Sequence, residues 1–136
     1  MTTATGFDAI VGQDTPIRLL KTFIRNGTHP HALLFTGDEG VGKKTTATAF
    51  AMACNCLTLQ SNLRRRPPFD AIDACGVCAS CKKIADNHHP DVIHVAPASS
   101  VLRIGQIREL LNILALKPNE AHRRVVIVAE AQTMNP

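Results

Sequence analysis

The chain has no Trp and no Tyr, and only five Phe among its 136 residues. That scarcity argues against a platform that grips single-stranded nucleic acid by base stacking, which needs several aromatic faces in series. No stretch approaches the roughly 18 consecutive apolar residues of a membrane-spanning helix, so no membrane association is expected. Residues 1–6 carry neither a basic lead nor an apolar block, so no secretory signal is visible and a cytoplasmic location is expected. Cytosolic thiols stay reduced, which makes the five cysteines metal ligands or core residues before disulfides. Internal repeats and low-complexity tracts are also missing.

What is present suits one domain, because 45% hydrophobic residues can bury a core at this length. The net charge of +4 is compatible with nucleic acid or an acidic partner without requiring either. The dense basic run, Arg64-Arg65-Arg66 before Pro67-Pro68, reads as a solvated loop.

Thr15 and Pro16 look like the N-cap and first position of a helix. Ile17, Leu20 and Ile24 form its apolar stripe, and Gly27 ends it. Ala32–Thr36 is a short apolar run that suits a buried parallel strand. An alanine-rich helix follows from Lys43 to about Cys56, and 57–73 is expected to be loop. Asp91–Val95 is a second strand. Ile107, Leu110, Leu111 and Leu114 give a helical stripe before Pro118, and Arg124–Val128 is a third strand. Strands alternating with helices imply an α/β fold with a parallel sheet flanked by helices.

Between the first strand and the alanine-rich helix stands Gly37-Asp38-Glu39-Gly40-Val41-Gly42-Lys43, a P-loop pattern in its proper setting. Glycines let backbone N–H groups curl around phosphate oxygens. The helix N-terminus adds its dipole, and Lys43 adds a charge for the β and γ phosphates. Gly37, Gly40, Val41, Gly42 and Lys43, followed by Lys44 and Thr45, are the candidate nucleotide-binding residues. The pattern calls for a Ser or Thr hydroxyl on Mg²⁺ directly after the lysine. Lys44 occupies that position, and Thr45 comes one residue, about 100° of helix rotation, too late. A second ammonium suits phosphate but cannot ligate Mg²⁺.

The third strand shows a matching loss. P-loop ATPases end this strand in a metal-facing acid, often followed by Glu; here the pair is Ala129-Glu130. Glu130 is the candidate catalytic residue, as a base orienting water, with an ordinary surface acid as the competing reading. Two missing metal supports imply weak or absent ATP hydrolysis and leave ATP or ADP binding open.

Cys75-Gly76-Val77-Cys78-Ala79-Ser80-Cys81 sets three thiols at three-residue steps, able to converge on one ion. A tetrahedral zinc needs a fourth ligand, for which Cys56, His88 and His89 all qualify. With no further His or acid placed for an open catalytic position, the ion would be structural. Cys54 reads as a small apolar residue of the same helix.

Taken in order, these segments resemble bacterial clamp-loader AAA+ subunits. The residues carrying the likeness begin with Phe7-Asp8-Ala9-Ile10-Val11-Gly12-Gln13, Pro30-His31-Ala32-Leu33-Leu34-Phe35-Thr36-Gly37 and the P-loop. They continue through Cys56, the three close cysteines and His89-Pro90-Asp91 to the third strand and Ala131-Gln132-Thr133-Met134-Asn135. The likeness spans nearly the whole chain, and the cysteine module at about 54–91 is its most specific part. Lys44 and Ala129 depart from the gamma/tau ATPase branch and resemble the delta-prime branch, whose nucleotide site is often degenerate.

The resemblance implies structural zinc on Cys56, Cys75, Cys78 and Cys81, and adenine contacts near Ile10, Val11 and Gly12. It also implies assembly with delta and gamma/tau subunits in a complex that loads the sliding clamp of DNA polymerase III onto primed DNA. Residues 1–136 would be the front of an AAA+ domain in a longer protein. The arginine finger, the lid, the collar and the sheet's fourth strand, which lies between the first and third, would follow Pro136.

Overall fold

In the computed structural model, which describes residues 6–10, 12–30, 32–36, 42–95, 104–105, 108–109, 112 and 123–128, helix α1 runs Asp14–Asn26. Its buried residues are Ile17, Leu20 and Ile24, the stripe expected from helical spacing. The helix starts earlier than the sequence suggested: Gln13 is the N-cap, and Thr15 and Pro16 lie inside the first turn. Proline is tolerated there because first-turn N–H groups have no partner within the helix. Gly27 ends α1 with φ of 66°. Its N–H donates to Ile24 O at 3.3 Å and the Thr28 N–H donates to Phe23 O at 3.1 Å, the paired bonds of a Schellman motif.

Helix α2, Lys43–Asn55, is the centre of the fold. From Ala51 to Asn55 it is buried on every side. The small side chains there let α1 and α4 (Ala79–Ala85) pack close to its axis. Met52, Cys54, Ile24, Ile72 and Ile84 are among the side chains that fill the core. Each large aliphatic one contributes about 1.5–3 kcal/mol of burial.

Strand β1, Val92–Val95, pairs in parallel with β2, Val125–Val128, with Val92 opposite Val125. Both strands fall where β-branched residues cluster, each a residue shorter at its start than expected. The parallel register needs a crossover connection between them. Ile104, Gly105, Arg108, Glu109 and Asn112 are helical, while the stripe residues Ile107, Leu110, Leu111 and Leu114 lie outside the described residues.

Two expectations are corrected. Ala32–Thr36 is not a strand: it pairs with neither described strand, and Leu33 and Leu34 are 40% and 78% exposed. Apolar, β-compatible residues make a strand only where a neighbouring backbone takes up their N–H and C=O groups. The segment 57–73 is not simple loop. It holds helix α3, Leu57–Asn62, and two 3₁₀ turns, Leu63–Arg65 and Phe69–Ala71. Buried Leu59 packs α3 into the core, and Gln60 Nε2 donates to the α2 carbonyls of Ala53 (3.3 Å) and Cys54 (3.0 Å).

Candidate metal centre and phosphate loop

Cys56 is at once the C-cap of α2 and the N-cap of α3, so the reversal between two helices fixes its thiol. Cys78 caps α4, and Cys81 sits in that helix's first turn. Cys75 precedes Gly76, whose φ of 76° makes the tight turn between Cys75 and Cys78. The four Sγ atoms, from Cys56, Cys75, Cys78 and Cys81, lie within 4.8 Å of one another. A tetrahedral zinc with bonds of about 2.3 Å needs sulfurs roughly 3.8 Å apart, so the cluster closes on such an ion with small adjustments. His88 and His89 do not belong to it, and neither does Cys54, which is buried in the core.

Backbone N–H groups surround the sulfurs. Cys56 Sγ accepts from Leu59 N (3.4 Å) and Cys75 N (3.3 Å), and Cys75 Sγ from Cys78 N (3.2 Å) and Val77 N (3.5 Å). Cys78 Sγ accepts from Cys81 N at 3.4 Å. Such donors stabilise thiolates. The Cys81 thiol hydrogen-bonds Cys56 and, with the Cys75 and Leu59 amides, brings it down to about 4 in spite of burial. The same hydrogen bond to Cys56, then burial, pushes Cys81 far up. Burial raises Cys78, but hydrogen bonds from the Cys81 and Leu57 amides and the Cys81 and Cys75 thiols together lower it overall. Cys54 is pushed up to about 12 by burial, only partly offset by Arg123. Thiols held low, as Cys56 and Cys78 are, give up their protons readily to a metal cation.

At the phosphate loop, Gly42 is the N-cap of α2 with φ of 89°, a left-handed geometry that favours glycine. Lys43 is the half-buried first residue, and Lys44 and Thr45 are exposed. Thr46, which sequence reasoning passed over, is buried, and its hydroxyl donates to Gly42 O at 2.7 Å. That bond turns the hydroxyl back onto the helix. A cavity of about 250 Å³ opens beside this helix start, lined among others by Gln13, Pro16, Leu20, Leu34, Lys43 and Thr46. Val11, Gly37, Gly40, Val41, Ala129 and Glu130 lie outside the described residues.

His94 is another residue the motifs did not single out. Strand alternation puts it on the same face of β1 as buried Val92. Both its ring nitrogens are buried without a hydrogen-bond partner among the described residues. Burial, and after it the charge of Lys44, holds its imidazole below the ordinary range.

A family model described as DNA polymerase III, delta subunit, matches residues 12–136. The chain belongs to this family. Over 132 residues it is 33% identical to DNA polymerase III subunit gamma/tau of Mycoplasma pneumoniae, covering 97% of this chain and 18% of that protein. It is 30% identical over 129 residues to subunit tau of Bacillus subtilis, covering 95% and 21%. It is also 32% identical over 109 residues to subunit delta' of Pseudomonas aeruginosa, covering 79% and 30%. The chain thus spans less than a third of the length of each of these DNA polymerase III relatives. They support a clamp-loader family member, and they include both subunit types.

Proposed function

We propose that this chain is the nucleotide-fold part of a delta-prime subunit of the DNA polymerase III clamp loader. It works beside delta and gamma/tau subunits in placing the sliding clamp on primed DNA. The observation that carries this reading is Lys44, exposed at the second position of α2, where a working loop presents a hydroxyl to Mg²⁺. Thr45 is turned about 100° further round the helix and Thr46 is bonded back to Gly42, which argues against either hydroxyl standing in for it. Lys43 and Lys44 suit phosphate, and ATP or ADP would be held more firmly than it is hydrolysed. In the cysteine module, Cys56, Cys75, Cys78 and Cys81 would hold one zinc. When bound, the ion neutralises the thiolates and ties α2, α3 and α4 together.

A gamma/tau-like ATPase is the second reading, favoured by gamma/tau relatives that align over 95–97% of the chain. Reconstitution separates the two. Clamp loading on primed DNA by a complex of this protein with delta and gamma/tau is expected to survive Lys43→Ala in this subunit. Loss of loading on that substitution favours the ATPase, and failure to assemble with the other subunits rejects both.

A further inference from the structure

The first residues of β2 are held by two segments that both lead back to the cysteine cluster. Asn55, 1% exposed, is the last residue of α2 and directly precedes Cys56. Its Nδ2 donates to Ala51 O at 3.3 Å, which fixes the amide plane. Its Oδ1 accepts the Arg123 backbone N–H at 2.7 Å. The second segment leaves α4, which carries Cys81, and reaches the fully buried Asp91. The Asp91 N–H donates to His89 Nδ1 at 3.1 Å, and the Asp91 carbonyl accepts from Val125 N at 2.9 Å. Its carboxylate meets Arg124 at 3.0 Å.

Arg123, Arg124 and Val125 are thus fixed one after another, by Asn55 and then by Asp91. The bond from Asn55 is the more exposed to events at the cluster. It hangs from the last residue of α2, and the next residue along the chain is a cluster cysteine. In the C-terminal turn of α2 the Asn55 amide is held by Ala51 O, the turn's carbonyls by Gln60, and Cys56 fixes where the turn ends.

We propose that Asn55 is a positioning residue through which the cysteine cluster sets the entry to β2, so that bound metal stiffens that entry. The inference rests on the cluster holding a metal, as proposed above. Asp91 is the second anchor and keeps β2 paired with β1 while the first is released.

Backbone hydrogen exchange of this chain with zinc bound, and after its removal by EDTA, tests the proposal, with zinc content measured in parallel. Zinc removal is expected to speed exchange of the Arg123 amide about ten-fold or more, while the Val125 amide, held by Asp91, and buried α1 amides change by less than about two-fold. Asn55→Ala is expected to bring fast exchange at Arg123 with zinc still bound, leaving less than about a two-fold further response to EDTA. Asn55→Asp keeps an acceptor for the Arg123 N–H but loses the bond to Ala51 O, and is expected to restore the response in part. Should Asn55→Ala fail to fold, Asn55→Gln, which moves the acceptor by one methylene, replaces it with the same expected result. Zinc bound without any effect on the Arg123 amide, uniform loss of protection along the chain, or a zinc response that survives loss of the acceptor overturns the proposal. A purified chain that takes up no zinc overturns the metal reading itself.

Discussion

Arg124 Nη2 stands 3.0 Å from Asp91 Oδ1, with the arginine side chain 10% exposed and the aspartate not at all. The pair joins the residue before β1 to the residue before β2. Removing one member strands the other charge in the core, which typically costs about 3–5 kcal/mol. Asp91→Leu is therefore expected to lower the urea midpoint sharply. The double variant Asp91→Leu/Arg124→Met leaves no stranded charge and is expected to be the more stable of the two.

Asp73 ties the front of the chain to the cysteine module. Its carboxylate accepts from Phe7 N at 2.8 Å, Asp8 N at 3.2 Å and Ala74 N at 2.8 Å, and Phe7 is 2% exposed. Asp73→Ala should lower stability in equilibrium unfolding by at least the worth of the part-buried Phe7 bond, about 1.5–3 kcal/mol. Gly6→Ala should destabilise through the same contact, because a Cβ there would lie within 3.0 Å of the Asp73 carboxylate.

Much of this was legible in the sequence, for a physical reason. The spacing of Cys75, Cys78 and Cys81, the Ile17–Leu20–Ile24 stripe and the glycine stop at Gly27 are local patterns, and local patterns survive folding. Asn55, Asp73 and Asp91 act through partners distant in the chain, 66 to 68 residues away for two of them, so nothing nearby in the sequence marks them. Cys56 joined the cluster in the sequence reading through family resemblance; spacing alone left His88 and His89 equal to it. Ala32–Thr36 failed the other way. Its composition is that of a strand, but pairing depends on two segments and only one of them is read from a run of residues.

His94 gives the fold a pH dependence of definite sign. Its folded value is depressed by burial and then by Lys44, so the unfolded chain binds more protons than the folded one. The stability linked to the neutral imidazole is full above the unfolded value of about 6.5 and fades as pH falls through the lower folded value. His94→Gln is expected to flatten the fall in urea midpoint on going from pH 7.5 to about pH 5. Lys44→Ala removes a repulsion, raises the folded value and should flatten it in part.

Zinc content should reach one ion per chain. Cys56→Ser or Cys81→Ser is expected to abolish stoichiometric zinc and lower thermal stability, since structural zinc contributes directly to folding free energy. Cys54→Ser should keep the zinc, because that thiol lies in the core and outside the cluster.

The proposed loss of ATP hydrolysis is tested most directly by ATP turnover of the purified protein, with and without Mg²⁺, beside Lys43→Ala. The expected result is no Mg²⁺-dependent turnover above that of the Lys43→Ala variant, because Lys44 occupies the place of the metal-binding hydroxyl. A Mg²⁺-dependent rate on the order of 1 s⁻¹ or faster, abolished by Lys43→Ala, would contradict it and make this subunit a working ATPase.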